Sequence, residues 1–350
     1  MVEQKLPCIS VIITAYNRKE YLLDAIKSVI NQTLDKKYYE IIVIKNYNDS
    51  KIDEFISDNN IKNIFSYDNS LSGKIYEALK IASGNIISFL EDDDLFLPFK
   101  LKEVYNVFQQ NDKMIFYKHE VIKTRNVENV KSHLVDIELG KLETKSFFVS
   151  DLNLRRLFLI ERKFNLANVS SISIRKVLYL PFLQALRTNA MVDIFLFYLA
   201  VLVNNQAVLS FEKKPLSIWR IHNSASQFGI DTSKSEFLSR QKKYSKEIVV
   251  AYKEFIDIIT VRHADIRNVQ LLLDNMNIKL GGWYVEISLL EGKKCNLKNT
   301  LSFVKTGIYL RNLNILLAAS LGLFSLFVPN FAGQIFNLGL WKRQFIDQIS

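Results

Sequence analysis

The chain has 350 residues, a formal net charge of +10, 49% hydrophobic and 23% charged residues. That length admits two domains, and that composition excludes a disordered, collagen-like or low-complexity chain. The excess of Lys and Arg favours anionic partners, from phosphorylated small molecules to an acidic membrane surface, but no DNA- or RNA-binding motif accompanies it, which argues against nucleic acid.

The N-terminus "MVEQKLPCISVIITAYN" has no basic stretch before its short apolar run. It reads as a strand rather than a secretory signal, and predicts a cytoplasmic chain. Cys8 and Cys295 lack metal-ligand spacing and are too few for a disulfide framework. Residues 8–16 form a β-branched run of the kind found in buried parallel strands. Asn17 is placed to cap a following helix, in which Leu22, Leu23, Ile26, Val29 and Ile30 keep helical spacing. "YEIIVIKN" is a second strand, residues 51–59 a short helix, and "NIFSYD" a third, weaker strand. A helix over 73–82 stops at Ser83-Gly84, and "NIISFL" is a fourth strand. Strand and helix in alternation predict a mostly parallel sheet with right-handed crossovers.

After residue 113 the pattern changes. "MIFYKHEVIKTRNV" reads as a strand, 128–145 as a loop-rich insertion, and "SSISIRKVLYL" as a strand leading into a helix. "DIFLFYLAVLVNN" is apolar on nearly every side, hence a buried helix. Residues 207–226 suggest two short strands around Pro215, and beyond about 232 the chain reads as mostly helical.

The fourth strand runs straight into Glu91, Asp92, Asp93 and Asp94. One acid is enough to cap a helix starting near Pro98, and the others add repulsion. Ligands of an open α/β sheet sit beyond the carboxyl ends of its strands, and carboxylates gathered there suit a hard divalent cation shared with phosphates.

The order "SVIITAYNR", "YEIIVI", "SGNIISFLEDDD", "LP" resembles the family 2 glycosyltransferases of the GT-A fold, closely over residues 7–110 and more loosely to about 226. The resemblance implies a Rossmann-like sheet flanked by helices: a nucleotide-sugar-binding half over 1–110, an acceptor-binding half over 111–230, and a helical C-terminal region over 231–350. It implies an inverting transfer of sugar from a nucleotide-diphosphate donor to a hydroxyl acceptor. Asp93 matches the acid that coordinates Mg²⁺ or Mn²⁺ on the diphosphate, with Glu91 as a second metal candidate and Asp92 facing the ribose or donor sugar. Thr14, Ala15 and Tyr16 match the end of strand one, where the nucleobase packs, and Arg18 is placed for phosphate; Lys74, after a Ser-Gly turn, is another phosphate candidate whose plainer reading is a surface lysine. Relatives end the second strand with paired acids, one accepting from the uracil imide. Here Lys45 and Asn46 stand there, leaving Asn46 to pair with a base edge and Lys45 either functional or simply solvated.

The acceptor hydroxyl must lose a proton as it attacks, which calls for a carboxylate base. Asp193, ahead of the apolar helix, matches the family's base, with Val192 in place of a preceding Glu; the helix N-terminus would help hold it ionised. His222, in "SIWRIHNSAS", resembles the segment that closes over the diphosphate and is a third metal candidate. Two other classes stay open: a nucleotidyltransferase, although "TAYNRKEY" lacks the glycine-rich loop such enzymes carry, and a catalytically inactive GT-A scaffold at a membrane surface.

From Lys293 to Arg343 there are seven Lys or Arg and no Asp or Glu, around a strongly apolar stretch over 313–328. The stretch falls short of the ~20 residues that cross a bilayer. It predicts peripheral contact with the inner face of the cell membrane, continued by Phe331, Ile335, Phe336 and Trp341, and hence a lipid-linked glycan as acceptor. Packing of these helices on the catalytic domain or in a homo-oligomer is the competing reading.

Overall fold

The first strand, β1 (Ile9–Ala15), is buried along its whole length, as a β-branched strand must be when helices cover both faces of a parallel sheet. β2 (Tyr39–Lys45) and β4 (Ile86–Glu91) flank it in parallel, and β3 (Lys62–Phe65) extends the sheet beyond β2. The crossovers are α1 (Leu22–Ile30), α2 (Ser50–Asp58) and α3 (Leu71–Ile81). In register, Thr14 stands beside Glu91 and Ala15 beside Lys45, so the carboxyl ends of these strands share one edge. The computed structural model describes residues 8–131, 134, 137, 143–164, 166–187, 191–203, 206–222, 233–261, 266–310 and 313–349.

The sheet then turns mixed. β8 (Ile172–Arg175) runs antiparallel to β4, β6 (Met114–Thr124) antiparallel to β8, and β9 (Val208–Arg220) parallel to β6. β7 (Thr144–Phe148) and β5 (Leu95–Phe96) pair antiparallel with the two ends of β9. Among the described residues the order is β3-β2-β1-β4-β8-β6-β9-β5, with β7 also on β9. α4 (Lys100–Gln110), the short α5 (Val127–Lys131), and, later in the chain, α7 (Leu183–Leu186) and α8 (Val192–Val203) pack around this sheet. α8 is buried on nearly every side, its Phe197 meeting the Phe116 and Phe211 rings.

Two local expectations change. Asn17 does not cap a helix: its backbone is left-handed at φ 52°, and α1 starts at Leu22 behind Tyr21. β9 is one strand rather than two, because a register shift opposite Glu120 lets Pro215, which cannot donate a ladder hydrogen bond, pass through. Residues 223–226 of that expected segment lie outside the described residues.

Residues 1–152 with 164–221 form one compact unit, and 153–163 with 222–350 a second. Both sheet halves of the sequence reading thus share the first unit. The second is helical: α6 (Leu154–Phe164, up to Lys163), α9 (Lys234–Val261), α10 (Ile266–Leu290), α11 (Leu297–Leu310), α12 (Leu313–Phe324) and α13 (Pro329–Ile349). α10 is its hub, contacting α9, α11, α12 and α13. Lys279 of α10 pairs with Glu161 of α6, and Glu291 gathers Lys242, Lys246 and Lys293. The apolar stretch expected over 313–328 breaks after Phe324, and Pro329 opens α13, where a missing N–H costs nothing.

Candidate active site

The acids leave the sheet in a tight turn. The Asp92 N–H donates to the Thr14 carbonyl at 3.0 Å, and the Asp94 N–H donates to the Glu91 carbonyl at 3.2 Å. Arg18 answers two of them with one fork: Nη2 lies 2.6 Å from Asp92 Oδ1 and Nη1 2.6 Å from Asp93 Oδ2. The Tyr16 N–H points at Asp92 Oδ2 from 3.4 Å. Arg18, placed for phosphate by its position in sequence, is therefore the standing counter-charge of the acid loop.

Burial dominates the protonation of these groups. It pushes Asp92 up to about 6 despite the Arg18 pair. It pushes Asp94 up to about 7, aided by the Asp93 charge and opposed by Ser170, Asn168 and Arg220. Glu91 is raised well above the usual carboxylate range by burial and by Asp94, Asp93, Asp193 and Asp92. Four carboxylates this close do not all ionise without further positive charge.

Behind the loop lies a turn that sequence reasoning missed. Asn168 sits at φ 80°, outside the ordinary range of a non-glycine residue. Its side-chain Nδ2 donates to Asp94 Oδ2 at 2.8 Å, while its backbone N–H donates to Asp193 Oδ2 at 3.1 Å. One residue thus ties the acid loop to the predicted base, and its own Oδ1 is buried without a hydrogen-bond partner. The next residues continue the brace: Ser170 Oγ accepts from the Glu91 N–H, and its carbonyl accepts from Lys100 Nζ at 2.6 Å. Ser171 Oγ accepts from the buried Lys118 Nζ at 2.7 Å. "NVSS" carries no pattern that sets it apart from any other polar turn.

Asp193 begins α8, as expected, and its Oδ1 accepts from the Ile194 N–H at 2.8 Å. The helix terminus does not keep it in the ordinary acidic range, however: burial outweighs the backbone donors and Lys118, and raises it. A raised carboxylate is the stronger base near neutral pH.

Around the end of β1, Tyr16 is half exposed and Lys74 Nζ lies 4.7 Å from its ring centroid. Lys74 is no surface lysine. It is 1% exposed, its ammonium has no hydrogen-bond partner, and burial lowers its pKa against the pull of Asp68 and Asp92. Lys45 is not solvated either; its Nζ is buried against Asp53 Oδ1 at 2.8 Å and donates to the Tyr47 carbonyl. Asn46 Oδ1 accepts from the Asn17 N–H at 2.9 Å, and its Nδ2 donates to Asn17 Oδ1 and Asn69 Oδ1. Only the second lone pair of that Oδ1 is left for a base edge.

Among the described residues, no group of three or more His, Cys, Asp or Glu side chains is gathered tightly enough to hold a metal alone. The donors that Glu91 and Asp93 offer are nevertheless all oxygen, at the open edge of the sheet. That chemistry fits a hard divalent ion completing its shell with phosphate and water. His222 begins the second unit, and a metal role for it rests on the resemblance alone.

A mostly parallel sheet with carboxylates and cations gathered at the carboxyl ends of β1 and β4 is the α/β architecture of GT-A proteins. Residues 10–168 match the family described as Glycosyl transferase family 2. An uncharacterized glycosyltransferase of Nostoc is 33% identical over 110 residues, which is 30% of this chain and 34% of that protein. The UDP-Glc:alpha-D-GlcNAc-diphosphoundecaprenol beta-1,3-glucosyltransferase of Escherichia coli is 29% identical over 34% of this chain and 48% of its own length. The chain therefore spans about a third to a half of these curated relatives. In three dimensions it is similar to TarS 1–349 of S. aureus, solved with UDP-GlcNAc: TM-score 0.54, 16% identity, covering 95% of this chain and 92% of that one.

Proposed function

We propose that the chain is an inverting glycosyltransferase that moves a sugar from a nucleotide-diphosphate donor to the hydroxyl of a lipid-linked glycan, in polysaccharide or glycan biosynthesis. The observation that carries this reading is the single residue, Asn168, hydrogen-bonded to both the acid loop and the buried carboxylate Asp193. A donor-side charge cluster and an acceptor-side base are held within one residue of each other, as a displacement at one carbon requires.

The acceptor oxygen attacks the anomeric carbon while its proton passes to Asp193. The bond from that carbon to the diphosphate oxygen breaks, and the nucleoside diphosphate leaves. Arg18 and Lys74 supply positive charge to the phosphates, and the Tyr16 ring, with Thr14 and Ala15 beneath, gives the base a stacking face. Asn46 reads the base edge, and Asp92 faces the ribose or donor sugar. Mg²⁺ or Mn²⁺, held by Asp93 with Glu91 beside it, would act as a Lewis acid on the leaving phosphate. Arg18 is the group that must yield to it, because its guanidinium already engages Asp93.

Two relatives lend the acceptor its class: the E. coli enzyme's name specifies a diphosphoundecaprenol-linked sugar, and a Bacillus subtilis relative is a minor teichoic acid biosynthesis protein. The chain then works in the cytoplasm, peripheral on the inner face of the cell membrane. The test is calorimetry of UDP-, GDP- and dTDP-sugars with and without Mn²⁺, on wild type and Asp93→Asn. Divalent-dependent binding of one donor should vanish in the variant while the fold persists; equal affinity in both proteins removes the metal assignment.

A further inference from the structure

From Leu313 to Trp341 the chain carries no Asp, Glu, Lys or Arg, yet much of the hairpin it forms is open to solvent. Leu313, Leu317 and Phe324 recur along α12 at helical spacing, and all three are exposed, Leu313 by 70%. Phe331, Ile335 and Leu338 do the same on α13. The turn between the helices offers Val328 and Phe327, the latter 83% exposed. The Phe324 and Phe331 rings meet edge-to-face with centroids 6.3 Å apart, which joins the two stripes into one apolar face.

The inner side of the hairpin combines small residues with Leu321 and Phe336, which pack against the buried Val285, Leu289 and Cys295. Ala318, Ala319 and Ala332 are buried. A Cβ on Gly322 would stand 3.1 Å from Thr300 of α11 and Val285 of α10, and one on Gly333 only 2.6 Å from the Leu289 carbonyl. Large apolar residues thus predominate on the outward face as well, the reverse of a surface helix in water. Patches of this kind mark interaction sites.

We infer that the α12–α13 hairpin seats in one leaflet of an anionic bilayer, turn first. Among the described residues no helix is long and apolar enough to cross a membrane. The 12 residues of α12 rise about 18 Å, little more than half of a ~30 Å hydrocarbon core. A single leaflet matches that reach. Charge selects lipid over a second copy of the chain: from Lys293 to Arg343 there are seven cations and no acid, and Lys293, Lys294, Lys298 and Lys305 are exposed. A symmetric contact would set those cations against themselves, whereas anionic headgroups answer them and hydrocarbon takes the aromatic turn. The inference deepens the lipid-linked acceptor reading and rests on it for its purpose.

Flotation of the full chain with sugar-free vesicles tests it apart from any transfer assay. Wild type should float with vesicles containing phosphatidylglycerol, and less with pure phosphatidylcholine. Phe327→Asp, at a position already open to water, should lower partitioning about tenfold or more. Lys298→Glu with Lys305→Glu should lower it on anionic vesicles only. Phe327→Trp should still bind, with fluorescence quenched by brominated acyl chains beyond the wild-type signal. Wild type that stays with neither vesicle, or a Phe327→Trp signal no different from wild type in bound protein, overturns the proposal. So does a light-scattering dimer that Phe327→Asp splits without any vesicle binding.

Discussion

Replacing Lys74 by Met should make the ligand-free protein more stable and worse at holding its donor. In the folded chain the ammonium is 1% exposed and meets no hydrogen-bond acceptor. A buried polar group left unpaired costs about 1–3 kcal/mol, more when charged. Its contact with the Tyr16 ring, at 4.7 Å from the centroid, returns only part of that, about 0.5–2 kcal/mol. Methionine fills nearly the same volume without the charge, so a net gain of about 1 kcal/mol is expected, raising Tm by roughly 2–4 °C. The sign with pH follows from burial, which lowers the folded pKa of Lys74 below its ordinary 10.5. The penalty is full while both states are protonated and fades as pH rises through the folded value toward 10.5, so the advantage of Met shrinks in alkali. On the ligand side, losing one charge-assisted contact to a diphosphate costs about 1.5–3 kcal/mol, or roughly tenfold to more than a hundredfold in Kd. Thermal unfolding and calorimetry with the best donor measure the two halves. A variant that is less stable and binds donor as before would refute the reasoning and make Lys74 a structural residue.

Asp193→Asn should cut turnover by about 10²–10⁴-fold and leave donor affinity nearly unchanged, because a general base acts on the acceptor; near-normal turnover with lost donor binding would mean the residue serves the donor instead. Glu40 offers a pH test away from the site. Burial works to raise it, but hydrogen bonds from Lys62, Ser10 and Ser83 prevail and bring it from 4.5 down to about 2. With its side chain 14% exposed, that shift is worth about 3 kcal/mol at most, present above pH 4.5 and lost as pH falls through 4.5 toward 2. Glu40→Gln should therefore lower stability in urea at pH 7 and match wild type near pH 2; an equal loss at both would show that packing, not charge, is at stake.

The parallel half of the sheet was legible because its signal is local. β-branched runs, amphipathic helices with buried Leu22, Ala25, Ile26 and Val29, and an acid run after a strand each announce themselves within a dozen residues. Asp193 was legible as an acid ahead of an apolar helix. Lys45 and Lys74 were not: sequence treats a lysine as a surface residue by default, and only the fold reveals that both are buried. Asn168 was invisible for a related reason. Its importance lies in partners 74 and 25 residues away, and no spacing rule within the chain connects them. The sequence set the end of the apolar C-terminal stretch at Pro329, whereas the helix already stops at Phe324, where no proline or glycine marks the break.

The Glu91 N–H donates to the Ser170 hydroxyl rather than to a neighbouring strand, so on the side of β4 that faces β8, beyond the Ser88–Ser173 pair, the bond is made by a side chain. Ladder amides deep in the sheet exchange with solvent only when large parts of the molecule open. The Glu91 amide is released by a smaller event, a turn of one serine rotamer or a slight retreat of the 168–171 segment. Deuterium uptake at that position consequently clocks local opening of the acid loop on its own timescale, separately from the sheet on which the loop is mounted.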